Sequence, residues 1–204
     1  MNSTLSYYDE NARELSIHYE SADIENIHGL LLDTFPEKSF LLELGCGSGR
    51  DAAFMYHNKY DLLAVDGSAK MISEAKRIHP ELNNILGMVV IPEELEFKNS
   101  CFDGVYAIAT LMHLSSEKID QTIEKISNML KPNAKFLFSV PTSRDDLDME
   151  GKDVNGRQFT TLSKQEWINY CEKHSMKLVY SVSNDDGLGR RRITWGTYIF
   201  EKGV

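Results

Sequence analysis

The sequence predicts a doubly wound α/β domain: a mostly parallel sheet of seven strands with helices on both faces. Three observations carry the prediction. Short apolar runs alternate with helical apolar spacing along most of the chain, the pattern of strands joined by crossover helices. Three closely spaced glycines, Gly45, Gly47 and Gly49, follow the first apolar run and precede a helix. An acid, Asp66, closes the second run, at the sheet edge where doubly wound proteins bind ligands.

Residues 9–34 carry helical spacing, with Leu15 and Tyr19 four apart and Ile24, Ile27 and Leu31 on one face. Ser21 is a candidate cap for a second helix in this stretch, and Pro36 lies past its end. Residues 40–44 are apolar apart from Glu43 and read as a buried strand; a helix follows from Arg50 to about Lys59. The next strand is Leu62 to Val65, and Ser68 caps a helix bearing Met71, Ile72, Ala75 and Ile78 that stops before Pro80. Strands are expected from Ile85 to Ile91 and from Gly104 to Ala109. A helix from Glu117 to Leu130 aligns Ile119, Ile123 and Ile126, and Lys131-Pro132-Asn133 is expected to end it before a strand at 136–140. Residues 141–160 are polar and read as a long loop, which in a compact domain is often functional. Ser163 and Glu166 have capping-box spacing ahead of a helix with Trp167, Tyr170, Cys171 and His174. Two strands, 177–183 and 193–201, are joined by a turn region at 184–187. No repeat or low-complexity linker interrupts the chain, so a single domain is expected over 1–204.

Composition bounds the function. The 204 residues are 42% hydrophobic and 26% charged, an ordinary globular balance. No apolar stretch approaches a membrane span, and the polar start lacks a secretory leader's basic-then-apolar order, so the expected location is the cytoplasm. Net charge is −9, which argues against a nucleic-acid partner. Cys46, Cys101 and Cys171 are odd in number and widely spaced, as expected of reduced thiols. No Cys-x-x-Cys or His-x-x-x-His is present, so no metal is expected.

The glycine loop carries the most information. Glycine permits positive φ and lets a ligand approach the main chain. A dinucleotide fingerprint asks for Gly-x-Gly-x-x-Gly or Ala. Counted from Gly45 the sixth position is Arg50; counted from Gly47 it is Ala52, so a nicotinamide cofactor stays open on the loop alone. Asp66 lies about 20 residues beyond the loop, where an acid meets a ribose diol, but both NAD and S-adenosylmethionine contain that diol. Glu43 sits within an apolar strand, where a charge is costly unless paired.

The segment Glu43-Leu44-Gly45-Cys46-Gly47-Ser48-Gly49-Arg50 resembles the first motif of the class I S-adenosylmethionine-dependent methyltransferases. The resemblance extends through Val65-Asp66-Gly67-Ser68, Phe102-Asp103-Gly104-Val105, Ala109-Thr110-Leu111-Met112-His113 and Leu130-Lys131-Pro132-Asn133-Ala134. In the last of these, Asn133 and Ala134 replace two glycines of the family pattern. It implies a Rossmann-like sheet with an antiparallel last strand, S-adenosylmethionine as cofactor and S-adenosylhomocysteine as product. It also implies three regions: a helical flap at 1–36, a cofactor-binding core at 40–140 and an acceptor side at 141–204. The cofactor residues implied are Tyr8, Tyr19, Glu43, Gly45, Cys46, Gly47, Gly49, Arg50, Asp66, Gly67, Ser68, Met71, Ile91, Ala107 and Ala109. Ile91 stands where the family often has an acid for the adenine amino group, so main-chain carbonyls or Glu93 are expected to take over. Ser6-Tyr7-Tyr8-Asp9-Glu10-Asn11-Ala12 resembles the flap of small bacterial members, whose aromatic faces attract a sulfonium. Residues Gly156 to Thr160 and Trp167 resemble the same subgroup.

Methyl transfer from a sulfonium is an in-line displacement, and alignment is the protein's main contribution. A base is needed only for an acceptor that holds its proton; His113 is the candidate, against a packing or capping role. Arg157 and the cluster Arg190-Arg191-Arg192 offer positive charge to an anionic acceptor or simply face solvent, and Arg192 is alternatively a packing partner of Trp195. The expected acceptor is a small molecule. The alternatives are a tRNA or protein methyltransferase, a nicotinamide-dependent oxidoreductase, and a cofactor-binding module without catalysis. An oxidoreductase calls for a Tyr-x-x-x-Lys relay, whereas Tyr8, Tyr56, Tyr60 and Tyr170 have Ala12, Tyr60, Ala64 and His174 at the fourth position on.

Overall fold

The computed structural model describes residues 3–186 and 193–204. Its order is α1 (Ser3–Glu20), α2 (Glu25–Thr34), β1 (Phe40–Leu44), α3 (Arg50–His57), β2 (Asp61–Asp66), α4 (Ala69–Ile78), β3 (Leu86–Met88), β4 (Phe102–Ile108), α5 (Ser116–Met129), β5 (Leu130–Arg144), α6 (Lys164–Lys173), β6 (Met176–Asp185) and β7 (Ile193–Lys202). The strands form one seven-stranded sheet in the order β3-β2-β1-β4-β5-β7-β6. All neighbouring pairs through β5 are parallel, and β7 runs antiparallel to both β5 and β6.

Residue alternation along the strands divides the core in two. Leu42, Leu44, Val105, Ala107, Phe136 and Phe138 face one side, packed with Ile119, Ile123 and Ile126 of α5 and Trp167 of α6. Leu41, Tyr106, Leu137 and Ile199 face the other, with Leu31 of α2, Ala52 and Met55 of α3, and Ile72 and Ala75 of α4. Two buried faces explain why the strands read as continuous apolar runs. The helix α1 lies against α4, and Asp9 ties the two. Its Oδ1 accepts from Ser68 Oγ at 2.6 Å and from the Lys70 N–H at 3.1 Å.

Two caps match the expectation: Ser68 accepts from the Met71 N–H, and Ser163 with Glu166 forms a reciprocal capping box. Four local expectations are corrected. Ser21 does not cap α2, whose N-cap is Ile24; the Ser21 hydroxyl donates to the His18 carbonyl and closes α1 instead. β3 covers three residues rather than seven. Beyond Met88 the chain leaves the ladder, and the Val90 N–H donates to Glu94 Oε2. Lys131-Pro132-Asn133 does not separate α5 from β5 but lies in a register shift inside it, where Asn133 takes a φ of 64°. Asn tolerates this left-handed conformation better than most residues. Residues 141–144 belong to β5 because β7 extends to pair with them, Arg144 opposite Ile193. The cluster Arg190 to Arg192 and its pairing with Trp195 lie outside the described residues, as does Gly187.

Candidate active site

The turn from β1 to α3 is built on positive φ at all three glycines: 71° at Gly45, 54° at Gly47 and 86° at Gly49. Gly45 lies against the Thr110 side chain, and a Cβ on Gly49 would come within 3.2 Å of Ala75 Cβ. A Cβ on Gly47 would meet Met71 Cε and Tyr19 Cδ2 at an ordinary 3.7 Å, so here the backbone conformation is the constraint. The loop amides are largely spent within the protein. Gly45 and Cys46 both donate to the Val65 carbonyl at 2.7 and 3.0 Å, and Gly47 donates to Asp66 Oδ2 at 2.9 Å. Asp66 Oδ1 accepts from the Ser68 N–H at 2.8 Å. Burial raises the pKa of the Asp66 carboxyl, against the opposing effect of these two amides.

A pyrophosphate binds where helix N-terminal amides point at it. Here three amides of the loop ahead of α3 are turned onto Val65 and Asp66, and a carboxylate stands beside the bend. What the bend presents is a glycine surface beside an acid, suited to a neutral ribose and a cationic sulfonium.

The bend opens into a cavity of about 560 Å³. Of the residues singled out from sequence, Tyr8, Tyr19, Gly45, Cys46, Gly47, Arg50, Asp66, Gly67, Ile91, Ala109 and His113 line it. Five others sit behind the lining. Glu43 is buried and accepts from Tyr106 Oη at 3.2 Å; burial holds its pKa well above the usual carboxylate range. Gly49 serves the contact of α3 with α4, Ser68 caps α4, and Met71 is core. Ala107 belongs to the sheet face covered by α5. Glu93 does not line the cavity either: its carboxylate pairs with Lys118 at 2.5 Å, which lowers its pKa. Val89 and Val90 line the wall beside Ile91.

The roof is α1, which is latched at several points. Tyr8 Oη and His113 Nε2 are 2.9 Å apart, and His113 Nδ1 lies 2.8 Å from the Gln158 carbonyl. A carbonyl only accepts, so Nδ1 carries the proton and Tyr8 donates to Nε2. Burial, reinforced by Arg157 and Arg144, pushes the His113 pKa down to about 4. Burial also raises the pKa of Tyr8, which keeps its proton. Thr4 Oγ1 accepts from the Gln158 N–H at 2.9 Å. At the other end of α1, Arg50 Nη1 donates to the Tyr19 carbonyl at 2.8 Å, while Nε and Nη2 bind Asp51. Burial works against the charge of Asp51, but the His28 and Arg50 hydrogen bonds outweigh it and lower its pKa.

Residues that sequence reasoning missed close the far end of the cavity. Arg144, Asp186 and Trp195 line it beside Arg157 and Phe159. The position of Arg144 at the carboxyl end of a strand was the available signal, and it was hidden because residues 141–160 read as loop. One tyrosine, Tyr198, does have a lysine four residues on, Lys202. Both are in β7, where that spacing separates them by roughly 13 Å, and Lys202 Nζ donates to Ser127 Oγ. Among the described residues, no group of three or more His, Cys, Asp or Glu is arranged to hold a metal.

A glycine bend at the carboxyl edge, an acid closing β2 and this sheet order define a doubly wound α/β protein with the geometry of an adenosine-cofactor site. A family model described as a methyltransferase domain matches residues 41–133. Phosphoethanolamine N-methyltransferase of Plasmodium falciparum is 26% identical over 162 residues, 74% of this chain and 58% of that protein. Carboxy-S-adenosyl-L-methionine synthase of Campylobacter concisus is 28% identical over 112 residues, 54% of this chain and 47% of that protein. The chain thus spans about half the length of these curated relatives. Among solved structures, Burkholderia thailandensis 1,6-didemethyltoxoflavin-N1-methyltransferase superposes with a TM-score of 0.80 at 16% identity, covering 99% of this chain and 88% of that one. Together these comparisons support a class I S-adenosylmethionine-dependent methyltransferase, with S-adenosylmethionine as the cofactor. No helix among the described residues is long and apolar enough to cross a membrane.

Proposed function

We propose that the chain is one catalytic domain that transfers a methyl group from S-adenosylmethionine to a small-molecule acceptor. Residues 1–36 serve as its flap, 40–140 as its cofactor core and 141–204 as its acceptor side. The observation that carries this reading is the shared cavity, with the glycine bend and Asp66 at one end and His113, Arg157 and Phe159 at the other.

In this reading Asp66 accepts from the ribose hydroxyls through the lone pairs that its two amide bonds leave open. Val89 to Ile91 provide an apolar wall for the adenine, and Tyr19 and Gly47 bound the methionine side. When bound, S-adenosylmethionine supplies an electrophilic methyl group and a thioether leaving group. The chain contributes alignment and exclusion of water under α1. His113, uncharged at neutral pH, has its Nε2 lone pair directed at the cavity side. It holds the Tyr8 hydroxyl and, when that bond yields, accepts a hydrogen bond from an O–H or N–H on the acceptor. The depressed basicity suits it to positioning an acceptor more than to removing a proton from a strongly basic one.

A relative named as a carboxy-S-adenosyl-L-methionine synthase makes cofactor binding alone insufficient as a test. The chain should therefore be incubated with cofactor carrying a labelled methyl group and with separate pools of small metabolites, tRNA and protein. Label in the small-metabolite fraction supports the reading. Label only in tRNA or protein overturns its acceptor part, and cofactor binding without transfer to any pool overturns the methyltransferase reading.

A further inference from the structure

The cavity carries charge at both ends. At the cofactor end Asp66 and Asp23 stand with Asp51, which is paired to Arg50; the far end carries two arginines, Arg144 and Arg157, with Asp186. We propose that the methyl acceptor bears an oxyanion group, a phosphate or carboxylate, held by Arg144 and Arg157, which turns its nucleophilic end toward the sulfonium. This inference rests on the methyltransferase reading above.

Arg144 is a built feature. Its side chain is 3% exposed, it stands at the end of β5, and its guanidinium carbon lies 3.8 Å from the Phe159 ring centroid. Arg157 meets the same ring at 5.3 Å and the Tyr7 ring of the roof helix at 4.8 Å. Each is braced by a carboxylate. Nε and Nη2 of Arg144 bind Asp146 at 2.9 and 2.6 Å, and Nε and Nη2 of Arg157 bind Asp153 at 2.8 and 2.6 Å. Both pairings occupy one edge of the guanidinium. The planar group of Arg144 has a second edge built around Nη1 that Asp146 does not occupy, whereas Arg157 has the Tyr8 hydroxyl as a further partner.

The charge of each arginine is paired by its bracing carboxylate; what sets the two apart is that both guanidinium groups face one aromatic ring, Phe159, in the lining of a ligand cavity. Arg157 and Arg144 also act on the nearby His113 imidazole, lowering its pKa against the opposing effect of Asp153. Asp186 lines the same cavity and accepts from Trp195 Nε1 at 2.8 Å.

The test is calorimetry on the full chain saturated with S-adenosylhomocysteine, using matched probes at low salt: propionate against propionamide, and methyl phosphate against methanol. At least one oxyanion probe is expected to bind ten-fold or more tightly than its neutral partner, and the winning pair tells carboxylate from phosphate. Arg144→Met should abolish that preference while S-adenosylhomocysteine affinity stays within about two-fold. If Arg144→Met no longer folds, Arg144→Lys decides, since lysine keeps the charge but loses the fork, and the preference should fall at least three-fold. Equal binding of charged and neutral probes, or a preference that survives the substitution, overturns the inference and leaves the cofactor reading intact. Failure of S-adenosylhomocysteine to bind the unmodified chain overturns both.

Discussion

Replacing Gly45 with alanine tests whether the cofactor bend depends on close backbone packing. The residue has a φ of 71°, and an added Cβ would lie 2.8 Å from Thr110 Cβ and closer still to the rest of that side chain. Thr110 is not free to retreat, because its hydroxyl donates to the Leu44 carbonyl at 3.0 Å and so ties β4 to β1. A left-handed non-glycine residue costs about 1 kcal/mol or more, overpacking about 1–3, and the displaced hydroxyl bond about 1. Gly45→Ala should therefore lose about 4 kcal/mol, which for a domain of this size lowers Tm by roughly 8–16 °C. Thr110→Ala alone should cost about 1 kcal/mol. The double variant should recover about 2 kcal/mol of the sum, because the two changes relieve one clash. Urea unfolding of the four proteins measures this. A loss below about 1 kcal/mol for Gly45→Ala, or strict additivity in the double variant, would refute the reasoning.

Three further outcomes are expected. His113 has its pKa depressed to about 4 from 6.5, so the unfolded chain takes up its proton first. Stability then falls as pH drops from about 6.5 toward 4 and levels off below that. Over this window the native chain should lose on the order of 3 kcal/mol more than His113→Gln, and parallel stability curves would remove the assigned protonation state. Glu43 has its pKa raised, so whatever stability it contributes is present below the ordinary glutamate range and lost as pH rises through its folded pKa. Glu43→Gln should thus gain on the native chain between pH 5 and pH 8 in unfolding assays, and a gain that shrinks with pH would contradict the assignment. Tyr8→Phe leaves His113 Nε2 without its donor and should cost about 1 kcal/mol, with faster amide exchange in residues 3–20 as the readout; unchanged exchange would deny α1 its latch.

The cofactor half was legible because its signals are local. An apolar run, three glycines and an acid at the next strand end lie within residues 40–66, and Ser68 and Ser163 cap the helices they precede. The far end of the cavity was not, because its contacts join distant segments. Tyr8 reaches His113, Thr4 reaches Gln158, and Arg144 gains its place only because β7 extends to pair with residues 141–144. Local pattern misled twice for the same reason. Ser21 resembles a helix cap but bonds backward to His18, and Lys131-Pro132-Asn133 resembles a terminator but is absorbed as an irregularity of β5. Glu43 lies in a motif segment and Ala107 between two of them, yet neither lines the cavity, which alternation along a strand settles only once one face is known.

Calorimetric titration of the chain, and of its Asp66→Ala variant, with S-adenosylhomocysteine and with NADH tests the cofactor site most directly. S-adenosylhomocysteine is expected to bind and NADH not to, and the variant should lose about 1–3 kcal/mol of S-adenosylhomocysteine affinity. Binding of NADH in place of S-adenosylhomocysteine, or an unaltered affinity in the variant, would contradict this reading of the site.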